Sequence, residues 1–328
     1  MQYTTLGRTN LRVSVAGLGC GGNSRLGLGS GSSEQQAVAL VRAAFELGIN
    51  VFDTAEVYGT ESVVGHALAG IPRDQIVVSS KSRILDPSGR PLPSTAVIDN
   101  LEQSLQRLRM EHIDIYFLHA VQLKHYDYAL SELVPALREQ QRLGKIRHLA
   151  ISETPPRDPD QAMLTRALED DCWDVVMLAF HMMNQGARTR LLPRTAAQRV
   201  GTLLMFVVRS IFSRQRVLSE TVAQLVREGQ LPQSLSQESG ALDFLIHDGG
   251  ASSLTDAAYR FARYEPGVDV VLFGTGDETH LRSNVESLLR PPLPTADLEK
   301  LHRLFGHLRG VGLVFPDQSN MSNLRNSV

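Results

Sequence analysis

The chain has 328 residues, 42% of them hydrophobic, enough to fill one barrel-sized core or two ordinary ones. Its 33 lysines and arginines against 35 aspartates and glutamates leave a net charge of −2, which offers nucleic acid no global basic field. Two cysteines, no apolar run near the roughly 18 residues that span a bilayer, and a start (Met1 to Thr5) without signal-peptide character lead us to expect a reduced, cytoplasmic protein with no membrane partner.

From the N-terminus, Tyr3 to Leu6 and Leu11 to Ser14 flank the polar turn Gly7-Arg8-Thr9-Asn10. They read as a hairpin, about residues 3–14, placed to cap the bottom of a barrel. Strand and helix then alternate. Val15 to Gly19 is a strand of small residues. A helix runs from Ser33, its N-cap, to Leu47, with Gly48 as its stop. Asn50 to Asp53 is the second strand and Glu61 to Ala69 the second helix. Gln75 to Ser80 is the third strand. Ser94 to Arg109 is the third helix, with Val97, Leu101, Leu105 and Leu108 at helical spacing. His112 to Leu118, Lys145 to Ile151, Asp174 to Phe180, Gly201 to Val207 and Val268 to Phe273 complete eight strands. Further helices are expected at Leu130 to Leu143, Asp160 to Leu168, Ile211 to Arg227, Ser253 to Arg263, Glu278 to Leu289 and Ala296 to Leu308. Gly229 to Gly240 is a loop rich in Gln and Ser, and Pro316 to Val328 reads as a loose polar tail.

Short apolar strands alternating with amphipathic helices imply an α/β fold with a parallel sheet and helices outside. Eight such units after a hairpin, with no linker between them, imply a single (β/α)₈ TIM barrel domain over residues 1–328. The other reading is an open doubly wound sheet. It calls for Gly-x-Gly-x-x-Gly between the first strand and first helix. Gly17-Leu18-Gly19-Cys20-Gly21-Gly22 comes near, but the helix starts eleven residues later. These glycines read better as a flexible lip over the barrel mouth.

In such a barrel the C-terminal strand ends share one face, where active sites form. Asp53, Lys81 and His119 fall at the ends of the second, third and fourth strands, and Tyr58 just past the second. Each alone has an ordinary explanation: a helix N-cap, a solvated lysine, a loop histidine, a rim tyrosine. Together they suit proton delivery to a carbonyl oxygen. A phenol titrates near 10, and an adjacent ammonium stabilises its phenolate. Tyr58 would donate the proton, Lys81 would tune it, Asp53 would hold Lys81, and His119 would orient the carbonyl. No His-x-His stands at the first strand end and no metal-ligand spacing is present, so no metal is expected.

Phe52-Asp53-Thr54-Ala55-Glu56-Val57-Tyr58-Gly59 resembles the Asp-Thr-Ala-x-x-Tyr-Gly signature of the aldo-keto reductase family. Ser80-Lys81 and Phe117-Leu118-His119 resemble its lysine and histidine sites. Gly144-Lys145-Ile146-Arg147, Ser152-Glu153 and Gly274-Thr275-Gly276 are similar to it as well, so the resemblance runs from about Thr5 to Leu289. It implies an NADPH cofactor, with NADH possible, lying extended over the barrel mouth. Asp53 would also touch the nicotinamide ribose. Ser152 would meet the carboxamide, with Glu153 where many members have asparagine and Met177 where a glutamine is common. Phe206 would stack on the nicotinamide, and Arg209 would meet the diphosphate. Gly274, Thr275 and Gly276 precede a helix whose N-terminus can hold a phosphate. His280 stands where an arginine is frequent, and Asn284 matches an adenine-binding asparagine.

The resemblance implies a small aldehyde or ketone as substrate. Asn23, Ser24, Tyr58, Ala120, Val121, His181 and Phe206 are expected to line its pocket and Gln122 to Tyr128 to form a flap; no cluster of arginines marks a phosphate or carboxylate substrate, although Arg25 and Arg83 could assist one. The altered carboxamide contacts leave a second reading, a cofactor-binding regulatory or channel-type subunit with little turnover.

Overall fold

The computed structural model describes residues 1–236 and 240–314; the expected tail from Pro316 lies outside them. β1 (Tyr3–Thr5) and β2 (Arg12–Ser14) form the antiparallel hairpin. β3 (Ala16–Gly19), β4 (Val51–Asp53), β5 (Val77–Arg83), β6 (Ile113–His119), β7 (Ile146–Ser152), β8 (Val175–Ala179), β9 (Gly201–Met205) and β10 (Val270–Phe273) follow. Each pairs in parallel with the next, and β10 returns to β3. The sheet is therefore a closed eight-stranded barrel rather than an open one.

The helices are α1 (Glu34–Glu46), α2 (Glu61–Leu68), α3 (Ser94–Leu108), α4 (Tyr126–Tyr128), α5 (Val134–Arg142), α6 (Ala162–Ala167), α7 (Gly186–Arg190) and α8 (Leu192–Gln198). After them come α9 (Ser210–Ser213), α10 (Gln215–Arg227), α11 (Leu254–Arg263), α12 (Glu278–Leu289) and α13 (Thr295–Phe305). α1 starts in a capping box, in which Ser33 accepts from the Gln36 N–H and the Gln36 side chain accepts from the Ser33 N–H. Its Ala37, Leu40, Val41 and Ala44 are buried at helical spacing, as are Val97, Leu101, Leu105 and Leu108 on α3.

Four stretches depart from the sequence reading. β5 runs three residues past Ser80, because parallel pairing with β6 continues through Arg83 opposite His119. The helix expected from Leu130 starts at Tyr126 and passes through a π-helical turn, Ala129–Leu133, before α5. Pro135 lies in the first turn of α5 and has no N–H for the regular ladder. The single helix expected from Ile211 is broken at Arg214, whose extended backbone separates α9 from α10. α7 and α8 were not anticipated, since Gly186 to Gln198 carries little apolar periodicity.

Leu6, Leu11 and Val13 of the hairpin join Val51, Val77, Ile115, Val175, Leu203 and Val270 in one buried apolar cluster. These strand residues point into the barrel, so the hairpin closes its lower end with packed side chains. Alternation then fixes what faces the upper end. On β5 the inward residues above Val77 are Ser79, Lys81 and Arg83; on β4 the inward residue above Val51 is Asp53, which is in register with Ser79 and Gly19. Among the described residues no helix is long and apolar enough to cross a membrane.

Candidate active site

Lys81 is fully buried inside the barrel, not at a strand terminus. Its Nζ donates to both carboxylate oxygens of Asp53, at 2.6 and 2.7 Å, and to the Thr54 carbonyl at 2.7 Å. These bonds hold the ammonium at the centre of the barrel mouth. A buried ammonium is tolerable only when paired and hydrogen-bonded in this way. The Ser79 hydroxyl donates to Asp53 Oδ1 at 2.6 Å and braces the carboxylate from the neighbouring strand.

Tyr58 ends the 3₁₀ turn Glu56–Tyr58 that follows β4. The Tyr58 N–H bonds the Ala55 carbonyl at 3.0 Å, and Gly59 leaves the turn with φ +67°. Arg25 Nε donates to the Tyr58 carbonyl at 2.8 Å. The tyrosyl ring lies over Gly21, where a Cβ would stand 2.5 Å from ring carbon Cε2, so only glycine fits. Lys81 Nζ sits 4.9 Å from the ring centroid, and the hydroxyl lies 3.5 Å from His119 Nε2. His119 ends β6. The next residue, Ala120, turns the chain with φ +53°, held by its N–H on Ser152 Oγ (2.8 Å) and its carbonyl on the Thr154 hydroxyl (2.7 Å). The four residues expected to converge therefore do so, above the apolar floor.

The electrostatics differ from the simplest expectation. Burial raises the Tyr58 pKa and outweighs the opposing charge of Lys81, so the phenol stays protonated. Burial disfavours the Lys81 charge, but Asp53 and Tyr58 more than offset it and the ammonium persists. Burial, then the Lys81 charge, pushes His119 down to about 3, leaving a neutral imidazole.

The residues expected to hold a cofactor lie around the same mouth, in varied environments. Ser152 ends β7 beside Ala120. Met177 points into the apolar barrel interior. Glu153 is buried, its Oε1 accepting from the Ala179 N–H at 2.6 Å and from Gln161 Nε2 at 3.1 Å. Its Oε2 has no partner among the described residues. Burial pushes this carboxyl up to about 8 against those two hydrogen bonds. Phe206 leaves β9 with φ +65°, and the Arg209 guanidinium stacks on it at 4.3 Å while bonding the Val314 carbonyl. Gly274, Thr275 and Gly276 join β10 to α12, with the Asp277 N–H on Thr275 Oγ1 at 3.1 Å. Asp277 caps α12 by accepting from the His280 N–H at 2.9 Å; His280 itself is mostly exposed, and Asn284 lies one turn further on.

Two pocket expectations need correction. Val121 and His181 have no exposed surface and do not line an open mouth; the His181 Nδ1 accepts from the Met183 N–H and its ring meets Phe212 edge-on. Gln122 to Tyr128 is no free flap. The Tyr126 hydroxyl donates to Asp170 and the Tyr128 hydroxyl to the Leu92 carbonyl, which pins the segment as a helical turn. Conversely, Ser79 and the Thr54 carbonyl were overlooked, although two-residue periodicity back from Lys81 points at Ser79. Among the described residues no group of three or more potential ligands gathers to hold a metal.

A closed parallel barrel with its ionisable cluster at the C-terminal mouth has the form of a barrel enzyme. The description aldo/keto reductase family matches residues 17–305, and the chain belongs to that family. L-galactose dehydrogenase of Arabidopsis thaliana is 32% identical over 210 residues, 62% of this chain and 64% of that protein. NADH-specific methylglyoxal reductase of Escherichia coli is 27% identical over 59% of this chain and 63% of its own length. The aligned parts thus span just under two thirds of either relative. An aldo/keto reductase of Klebsiella pneumoniae, solved in complex with NADP and acetate, shares the fold with a TM-score of 0.66 at 24% identity, over 92% of this chain and 95% of that one.

Proposed function

We propose that the protein is an NAD(P)H-dependent oxidoreductase that reduces a small aldehyde or ketone to the alcohol, with Tyr58 as proton donor. The observation that carries this is the buried Lys81 ammonium, fully coordinated by Asp53 and Thr54, lying under the Tyr58 ring with neutral His119 beside the hydroxyl.

A nicotinamide group supplies the hydride when bound. The residues fit one. Gly19 is in register with Asp53, and Gly274 follows β10 on the neighbouring strand, so neither fills the mouth beside Asp53 with a side chain. Among the described residues Ser152 Oγ accepts only the Ala120 N–H, which leaves its hydroxyl proton for a carboxamide oxygen. In this reading the Phe206 ring, Arg209 and the 274–276 loop would hold the rest of the cofactor. The presence of both an NADP-bound structural neighbour and an NADH-specific relative supports either form of the cofactor.

Tyr58 holds its proton at neutral pH because burial outweighs the lysine charge. Charge building on the substrate oxygen draws that proton across, and the Lys81 field stabilises the phenolate left behind. Lys81 acts on the phenol chiefly through its charge, which Asp53 and Thr54 hold in place. His119, neutral at working pH, is positioned to donate from Nε2 to the same oxygen and to hold it near Tyr58.

The test is consumption of NADPH or NADH at 340 nm with a panel of small aldehydes and ketones, beside Tyr58→Phe. General acid catalysis contributes about 10²- to 10⁴-fold, so the variant should lose at least 100-fold in kcat while still binding cofactor. A wild type that binds cofactor and turns over no carbonyl would instead support the regulatory reading.

A further inference from the structure

We propose that Arg25 and Arg83 make this site select small carbonyl substrates that carry an anionic oxyacid group, a carboxylate or a phosphate. The inference rests on the reductase reading above and names its substrate class. It starts from the three-residue turn that carries Tyr58. Glu56, at its first position, accepts the Arg83 N–H at 2.8 Å and lies 3.2 Å from Arg83 Nε. Tyr58, at its last position, accepts Arg25 Nε on its carbonyl. One short turn thus anchors the proton donor and two guanidinium groups.

Both anchors use Nε and leave the terminal nitrogens uncommitted: among the described residues no hydrogen bond engages either end fork. Those forks are the part of arginine that matches a carboxylate or phosphate in two parallel bonds. The positions suit a substrate tail. Arg83 is the last inward residue of β5, one step above Lys81, and stands in register with His119 on the adjoining strand. Neighbouring strands lie about 4.8 Å apart, which keeps Arg83 close to the carbonyl site. Its side chain is 46% exposed while that of Glu56 is 5% exposed, so the fork is on the solvent side of a buried anchor. Arg25 reaches the turn from the lip, and its Nη2 packs against Gly59, where a Cβ would come within 2.9 Å.

The lip is held in a costly conformation. Arg25 and Leu26 are consecutive non-glycine residues with φ of +45° and +60°. Such strain persists where surrounding structure enforces it, often at ligand sites. Here it turns the Arg25 side chain back onto Tyr58. The local charges leave a positive balance: Lys81 cancels Asp53 and Arg83 cancels Glu56, while Arg25 has no carboxylate partner among the described residues and meets a backbone carbonyl instead. A substrate anion would complete the set.

The experiment compares matched substrates in the same assay: butanal with 4-oxobutanoate for the carboxylate, and glyceraldehyde with its 3-phosphate for the phosphate. Wild type should favour the anionic member of at least one pair by tenfold or more in kcat/KM, and the pair that shows it identifies the group. Arg25→Met and Arg83→Met should each reduce that ratio by about tenfold, chiefly through KM, with Arg83→Lys falling between. Because Arg83→Met strips a partner from Glu56, Arg25→Met, anchored only on a carbonyl, guards against a folding artefact. Calorimetric binding of succinate and of inorganic phosphate, with and without NADP⁺, provides a readout independent of turnover. Anion binding weakened at least tenfold in either variant supports the proposal even if no aldehyde is reduced, in which case only the reductase reading fails. A wild-type ratio near one in both pairs, or ratios and anion binding unchanged in both methionine variants, overturns it.

Discussion

Glu153→Gln should remove the stability that Glu153 contributes at pH 6 and loses as pH rises to 8. The Glu153 carboxyl is 2% exposed, accepts two hydrogen bonds on Oε1, and has no cation beside it among the described residues. Burial lifts it from an ordinary value of 4.5 to about 8. Between those values the folded protein keeps a proton that the unfolded chain has released, so stability is greatest below about 4.5 and declines as pH rises toward 8. Each pH unit in that window costs about 1.4 kcal/mol, and the decline flattens near the folded-state pKa; from pH 6 to 8 it comes to about 2 kcal/mol. Glutamine copies the protonated acid in shape, keeps an acceptor for the Ala179 N–H, and does not titrate. The buried, neutral His119 and His181 act in the opposite sense as their unfolded counterparts deprotonate. The diagnostic quantity is therefore wild type minus variant. Urea unfolding at half-unit steps from pH 5.5 to 8.5 should show the variant gaining on the wild type by about 2 kcal/mol between pH 6 and 8. A difference that stays flat across that range would show that Glu153 is ionised throughout and refute the reasoning.

Two further outcomes are expected. Gly21→Ala places a methyl 2.5 Å from the Tyr58 ring and must displace the proposed proton donor by about an ångström, a shift that can lower kcat by about 100-fold; unchanged kcat with a folded protein would show that the ring is not held there. Asp277→Ser keeps a capping side chain on α12 but removes a carboxylate from a helix start where a cofactor phosphate would lie. NADPH should gain on NADH by roughly two- to fivefold in Kd, an effect that shrinks in salt; an unchanged ratio would place the adenosine phosphate elsewhere.

The parts of the site that were legible in the sequence share one property: local pattern determines them. Asp53 and His119 close short apolar strands, and alternation alone turns them inward. Lys81 reads in the sequence as a strand-end residue, because the apolar run stops at Ser80. What extends β5 through Ser82 and Arg83 is pairing with β6, a contact between residues more than thirty positions apart. Glu153 shows the same limit more sharply. Its position beside Ser152 suggested a carboxamide contact, whereas its carboxyl is engaged by the Ala179 N–H, 26 residues away. The ladder of Arg83, Glu56, Tyr58 and Arg25 is not legible in the sequence for the same reason: its joint anchoring on one turn depends on the lip folding back. In the second half, Ala187 of α7, Leu192 of α8 and Leu191 between them are buried, but arginines and threonines interrupt the stretch, so no apolar period emerges.

On β5, Val77 seals the floor, Ser79 and Lys81 build the polar centre, and Arg83 reaches the rim, each two residues from the last. Substitution and insertion therefore bear very differently on this strand. A changed side chain alters one storey. One added or deleted residue puts every storey above it out of phase, turning Lys81 toward the helices and a serine toward Asp53. Descendants of this gene should vary in spelling along these seven positions and hold their number constant, with changes in length displaced to the turn beyond Arg83.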